Sequence, residues 1–239
     1  MHTTLSALER QVHIWCVDLR SRMLLDRRTL SLSERERATR YRAGHLRDAF
    51  VVSRGGLRTL LSKYLGSSPN QIEFAYNDQG KPSLADTSSR LRFNLSHSGK
   101  IVVYAFTLDS EIGVDVEEIR RIPEFDSIAE RFFNRQEFED LKRIGHSDLP
   151  DAFFRCWVRK EAYIKAVGGG LSIPLDSFQV SLLPDQPAPL VRFPAEETEL
   201  RNWALYDFSP VPGCAGAIAV RDSNRKFLIQ RRWDEESIL

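Results

Sequence analysis

Apolar and polar positions along the chain predict a mixed fold of short strands and helices. Residues 12–19 (VHIWCVDL) read as a strand. The segment 31–36 offers a helix N-terminal capping box in two registers, Ser31 with Glu34 and Ser33 with Glu36, so a helix is expected to follow. Gly44 is placed to interrupt it. Leu46, Phe50, Leu57, Leu60, Leu61 and Tyr64 then recur close to helical spacing, and turn residues at 66–70 stop that helix. Residues 72–76 predict a short strand, 77–82 (NDQGKP) a turn-rich loop, and 92–95 extended structure. The run 101–108 is apolar on both faces, as in a central strand. Residues 112–117 predict another strand, with Gly113 inside it. Helices are expected over 125–144 and 151–167, the second ended by Gly168, Gly169 and Gly170. Further strands are predicted at 178–183, 203–208, 215–220 and 227–233, with a proline-rich surface loop over 184–194. Each half thus carries helices and a few strands. The fold class expected is α+β, with two similar-sized lobes, residues 1–111 and 112–239. No sequence repeat relates the halves.

The 239 residues are 42% hydrophobic and 28% charged, enough to build a core. The net charge of +1 argues against a basic nucleic-acid coat protein. The charge is uneven, however: arginines crowd the stretch 20–58, among them Arg20, Arg22, Arg37 and Arg54. Such a surface suits an anionic ligand or an acidic partner, although interspersed Glu34, Glu36 and Asp48 equally fit a solvated helix face. Cys16, Cys156 and Cys214 are odd in number and form no C-x-x-C pair, so neither a disulfide framework nor a zinc site is indicated. No apolar run is long enough to span a bilayer and no leader-like apolar segment opens the chain. The compartment expected is the cytoplasm.

Four stretches can carry chemistry. In GVDVE at 113–117, Val114 and Val116 can face a core while Asp115 and Glu117 project together. Paired oxygen ligands suit a hard cation such as Mg²⁺; an exposed strand face has the same pattern. On the helix FFRCWVRKEAYIKAV, Glu161 and Lys165 stand four residues apart, as a metal ligand or base beside a phosphate-binding lysine, or as an ordinary ion pair. FNLSHSG at 93–99 places hydroxyls, an imidazole and a glycine where a strand ends, which suits a phosphate or a plain polar turn. Ser96 and His97 are adjacent and no G-x-S-x-G occurs, which disfavours a serine hydrolase. Gly80, Lys81 and Pro82 combine close backbone approach, a charge and a stiffened exit. Neither a Walker A loop nor G-x-G-x-x-G is present.

Taken in order, GKP at 80–82, FNLSHSG at 93–99, GVDVE at 113–117, RFF at 131–133 and WVRKEAYIKAVGGGL at 157–171 resemble the 4'-phosphopantetheinyl transferase superfamily, in its larger, surfactin-synthetase-type group. The likeness runs from about residue 31 to 182. It implies a pseudo-dimer of two α+β lobes with the active site in the cleft between them. It also implies coenzyme A as co-substrate and Mg²⁺, with Mn²⁺ as an alternative. The metal would fall to Asp115, Glu117 and Glu161, and catalysis to Glu161, Lys165 and Asp115. Coenzyme A would contact Arg37, Arg54, Gly80, Lys81, Pro82, Asn94, Ser96, His97 and Lys165, with His97 and Arg37 near the 3'-phosphate. Phe50 departs from the pattern, standing where some relatives place a small hydroxyl residue. Lys160 and Glu161 are expected to form a chemistry-bearing pair.

The activity implied is transfer of 4'-phosphopantetheine to a serine of an apo acyl or peptidyl carrier protein, an acidic helical domain that the basic first lobe would steer. The protein is expected to be a monomer, with no nucleic-acid or membrane partner. The rivals are another Mg²⁺-dependent enzyme acting on a nucleotide phosphate, and a coenzyme A- or carrier-binding module without turnover.

Overall fold

The computed structural model describes residues 5–9, 11–19, 26–183, 190–192, 202–221 and 227–232. Strand β1 (Gln11–Asp18) is followed by α1 (Leu32–Thr39), whose N-cap is Ser31. Of the two capping registers the first forms: Glu34 N–H donates to Ser31 Oγ and the Glu34 carboxylate accepts from Ser31 N–H. Gly44 does not interrupt a helix but opens one, α2 (Gly44–Leu65). The hairpin β2 (Phe74–Tyr76) and β3 (Pro82–Leu84) precedes three long strands: β4 (Leu91–Ser98), β5 (Ile101–Leu108) and β6 (Ile112–Glu118).

The expected helix over 125–144 is two helices, α3 (Phe125–Phe132) and α4 (Arg135–Lys142). Asn134 breaks the run. It caps α4 by accepting from Gln136 N–H, while Glu137 accepts from Asn134 N–H in return. Then come α5 (Leu149–Val167), β7 (Gln179–Val180), β8 (Leu190–Arg192), β9 (Ala204–Phe208), β10 (Cys214–Val220) and β11 (Phe227–Arg232). The strand expected over 178–183 shrinks to two residues, because the carbonyls of Ser181 and Leu183 accept from the Arg159 guanidinium instead. Arg20, Arg22, most of the 184–194 loop and residue 233 lie outside the described residues.

Two sheets carry the fold. One has the order β11-β1-β5-β4, the other β6-β10-β9. All these neighbours are antiparallel except β1 and β11, so the last strand returns to the sheet of the first half. β5 is buried along its whole length, and its alternation shows why. Val102, Tyr104, Phe106 and Leu108 face Val52, Leu57, Leu61 and Tyr64 of α2. Ile101, Val103 and Ala105 face Val114, Val116 and Ile218 of the other sheet. On the far side of that second sheet, Phe153, Ala162 and Ala166 of α5 pack with Ala217 and Ala219. The layers are therefore helix, sheet, sheet, helix. This is the two-lobed α+β arrangement expected, with the edge strands β4 and β6 meeting along the seam.

Candidate active site

The seam is stitched by polar side chains on alternate positions of β4. Asn94, Ser96 and Ser98 are buried on the face toward β6, while Leu95 and His97 point the other way. Asn94 Oδ1 accepts from Val114 N–H at 3.0 Å, and Ser98 Oγ accepts from Glu118 N–H at 3.1 Å. On β6 the alternation runs as expected: Val114 and Val116 enter the core, and Asp115 and Glu117 meet the serines. Ser96 Oγ donates to Asp115 Oδ1 at 2.7 Å and Ser98 Oγ donates to Glu117 Oε2 at 2.7 Å.

Helix α5 brings the remaining groups. It rests directly on β6 at Gly113, where a Cβ would lie 2.9 Å from Ala166 Cα and closer still to the backbone of Ala162. Only glycine permits that approach. It sets Lys165 over the strand: its ammonium donates to Asp115 Oδ1 at 2.6 Å and to Ser96 Oγ at 2.8 Å. Glu161, one turn earlier, shares the neighbourhood. Burial, and then the charges of Asp115 and Glu117, push its carboxyl above the usual range, with Lys165 opposing. Glu117 is likewise pushed up, first by burial and also by Asp115, against its bond from Ser98. Such mutual elevation marks carboxylates crowded in a half-dry crevice.

Asp115 Oδ2 is buried and has no hydrogen-bond partner. A buried carboxylate oxygen left so is costly unless a cation completes it. The surrounding donors are carboxylate and hydroxyl oxygens, the set that a hard divalent ion takes. The donor types suit such an ion; among the described residues no three His, Cys, Asp or Glu stand together at ligating distance, and Lys165 occupies Asp115 Oδ1.

The residues expected to hold the cofactor divide between two cavities. One, of about 310 Å³, is lined by Gly80, Lys81, Pro82, Asn94, Glu161 and Lys165. The other, of about 790 Å³, is lined by Arg37, Arg54, His97, Phe50, Tyr41 and Lys100. Leu95 borders both. Successive residues of one strand thus serve different places: Ser96 goes to Asp115, and His97 to the larger, cationic cavity. There Arg37 stacks over the Phe50 ring, 5.2 Å from its centroid, and Phe50 in turn meets Tyr41 at 5.4 Å. Arg54 Nη1 is buried without a hydrogen-bond partner.

Lys160 departs from expectation, and Lys81 makes contacts within the protein. Lys160 does not join Glu161. Adjacent residues on a helix point about 100° apart, and Lys160 turns into the core, where it pairs with Glu137 at 2.8 Å, both side chains fully buried. Its ammonium also caps the carbonyls of Leu175 and Phe178. Lys81 reaches from its loop to the Ala166 carbonyl at 2.7 Å and the Glu111 carboxylate at 3.1 Å. Ser98, part of FNLSHSG, lies past the end of the strand expected over 92–95, so nothing in the sequence marks it as the partner of Glu117.

Comparison with known proteins is consistent across the chain. Residues 111–219 match the family model described as the 4'-phosphopantetheinyl transferase superfamily. Residues 19–108 match the model described as 4'-phosphopantetheinyl transferase, N-terminal. The 4'-phosphopantetheinyl transferase HetI of Nostoc sp. is 37% identical over 221 residues, covering 90% of each chain. The 4'-phosphopantetheinyl transferase Sfp of Bacillus subtilis is 37% identical over 159 residues, covering 65% of this chain and 68% of its own.

Proposed function

The chain belongs to the 4'-phosphopantetheinyl transferase superfamily, and from that premise we propose how its own residues carry out the transfer. The enzyme moves the 4'-phosphopantetheine moiety of coenzyme A to a serine of an apo acyl or peptidyl carrier protein. The products are holo carrier protein and adenosine 3',5'-bisphosphate. The observation that carries the residue assignment is the convergence of Asp115, Lys165 and Ser96, with Glu117 and Glu161 beside them, at the seam between β4, β6 and α5.

Asp115, Glu117 and Glu161 would hold Mg²⁺, or Mn²⁺ in its place. When bound, the ion supplies charge neutralisation to the pyrophosphate. The acceptor serine Oγ forms a bond to the β-phosphorus of coenzyme A. The bond from that phosphorus to the bridging oxygen breaks, and its electron pair leaves with adenosine 3',5'-bisphosphate. Glu161 takes the serine proton, from its place in the half-buried crevice beside Lys165 and Asp115. Lys165 offsets the charge gathering on the leaving phosphate. Positioning and electrostatics supply the acceleration, and no covalent enzyme intermediate forms.

The 3'-phosphate nucleotide end belongs in the larger cavity, with Arg37, Arg54 and His97. The segment Gly80, Lys81 and Pro82 borders the smaller one together with Asn94, Glu161 and Lys165, and Lys165 in turn reaches Ser96 of the reaction centre. Residues 1–111 then provide the nucleotide contacts and 112–239 the metal site and catalytic helix. The acceptor is taken to be an acidic helical domain. The enzyme works as a cytoplasmic monomer without nucleic acid or membrane, and the net charge of +1 favours the former exclusion. No helix among the described residues is long and apolar enough to cross a membrane.

Incubation with coenzyme A, Mg²⁺ and a panel of apo carrier proteins, followed by mass measurement, tests the reading. Addition of one phosphopantetheine to a carrier supports it. Hydrolysis of coenzyme A without carrier modification would replace it with a phosphohydrolase.

A further inference from the structure

We propose that Lys81, together with Asn77, clamps the C-terminal end of α5 and thereby positions Glu161 and Lys165, so that the Lys81 side chain acts on transfer without touching the donor. The assignment of Glu161 and Lys165 rests on the function proposed above; the clamp itself rests on geometry.

Lys81 stands on the loop between β2 and β3, in the first half of the chain, yet its ammonium reaches the second. It donates to the Ala166 carbonyl at 2.7 Å and to the Glu111 carboxylate at 3.1 Å. Asn77, four residues earlier on the same loop, donates from Nδ2 to the Gly168 carbonyl at 2.8 Å. Its Oδ1 turns back and accepts from Gln79 N–H at 3.1 Å and Lys81 N–H at 2.8 Å. One side chain therefore fixes the loop and ties it to the helix.

The acceptors are the right ones. The last four carbonyls of a helix lack helical partners and carry its partial negative charge, so a cation and an amide donor stabilise them there. Gly168, the C-cap, is left-handed at φ +78°. A Cβ on it would meet Asn77 Nδ2 at 3.0 Å and Lys81 Cδ at 3.2 Å, so a bare backbone lets the loop close onto the helix end.

The consequence falls on the reaction centre. Lys165 immediately precedes Ala166, the residue whose carbonyl Lys81 holds. On the other side, Ala162 and Ala166 rest on Gly113. The last turn of α5 is thus gripped between β6 and the loop. Loosening the loop frees that turn and lets Lys165 drift from Asp115. A side chain that bound donor would instead change affinity and leave the turnover of bound donor intact.

The test compares Lys81→Met, Lys81→Arg and Asn77→Ala with the unsubstituted protein, by steady-state transfer to an apo carrier protein and by amide hydrogen exchange of α5. Lys81→Met is expected to lower kcat by about tenfold to a hundredfold, as a small misplacement of reacting groups does, with KM for coenzyme A within about twofold. Lys81→Arg, whose guanidinium can donate to both acceptors, is expected to restore most of the turnover. Exchange in the last turn of α5 is expected to speed up in Lys81→Met and Asn77→Ala and not in Lys81→Arg. A tenfold rise in KM with kcat unchanged, or unaltered protection of α5, overturns the proposal. Thermal melting reports folding; if Lys81→Met fails to fold, Asn77→Ala, which loses only exposed bonds (one to Gly168 and two within the loop), decides. Exchange needs no turnover. An unsubstituted protein that transfers nothing would therefore sink the functional reading, while the clamp would still be judged by exchange.

Discussion

Gly113 of β6 lies directly beneath Ala162 of α5, with no side chain between strand and helix backbone. That contact sets the distance from Asp115 to Lys165. Gly113→Ala must push the helix off the strand, and overpacking of this kind costs about 1–3 kcal/mol. The variant is expected to unfold at lower urea and to lose transfer beyond what the unfolded fraction explains. Turnover per folded molecule equal to that of the unsubstituted protein would mean that the helix–strand spacing does not govern the reaction.

Asp115 is nearly fully buried, with one oxygen engaged by Ser96 and Lys165 and the other without a partner. Asp115→Asn keeps the volume and removes the charge. Transfer is expected to fall by about a hundredfold or more, as loss of one preorganised electrostatic contact does, with a circular-dichroism melt close to that of the unsubstituted protein. Excess Mg²⁺ is not expected to restore it. Full turnover in this variant would remove Asp115 from the proposed cation site.

Lys160 and Glu137 form the other buried pair, remote in role from the chemistry. Lys160→Met removes the cation paired with the buried Glu137 carboxylate, which keeps its backbone donors at Asn134 and Val180, a loss of about 3–5 kcal/mol. Burial already pushes Glu137 upward, with Lys160 opposing. Without the lysine the native state keeps a proton that the unfolded chain loses above the ordinary carboxylate range. Stability of the variant is therefore expected to fall as pH rises through that range and to recover toward acid. Urea unfolding across pH measures it, and activity per folded molecule is expected to stay level. A pH-independent deficit would mean that Glu137 remains ionised.

Why was the site partly legible in the sequence? Alternation on β6 was enough to send Asp115 and Glu117 one way and two valines the other. The spacing of Glu161 and Lys165 placed them on one side of α5. What alternation on one strand cannot show is its partner. Ser96 and His97 read as one polar turn because the strand was expected to end at 95. It runs to Ser98, and the extra residues put the two side chains on opposite faces. Lys160 read as chemistry because it adjoins Glu161; its true partner, Glu137, lies 23 positions earlier on another helix. The break at Asn134 was written as N-x-x-E, a capping box, but a strong apolar pattern on both sides masked it. The return of β11 to β1 is a long-range pairing with no local signal.

His97 faces the larger cavity beside Arg37 and Arg54, away from Asp115. Its removal is expected to touch the nucleotide end of the donor and not the reacting phosphorus. His97→Ala is expected to raise KM for coenzyme A several-fold while leaving KM for dephospho-coenzyme A nearly unchanged, a pattern of lost ground-state binding. Equal effects on both donors would place the 3'-phosphate elsewhere.

Cys156 is fully buried in α5, and burial pushes its thiol well above the ordinary range, with Glu137 adding to the push and Lys160 and Arg159 opposing. In the unfolded chain that thiol ionises near pH 8.5 or somewhat above. Above that pH the unfolded state sheds a proton that the native state retains, so stability falls as pH rises. One such group contributes a slope of up to about 1.4 kcal/mol per pH unit. Tyr104, also fully buried and pushed upward by burial, adds to the decline only at the higher pH where free tyrosines ionise. Cys156→Ala removes the thiol's share: its unfolding free energy is expected to decline less steeply between those two onsets, at the cost of a small cavity. In the native unsubstituted protein Cys156 is expected to resist a thiol reagent at mildly alkaline pH and to react once urea unfolds the chain. Equal slopes in the two proteins, or rapid labelling of native Cys156, would show that the thiol ionises in place and that α5 is less closely packed around it than the burial of Cys156 implies.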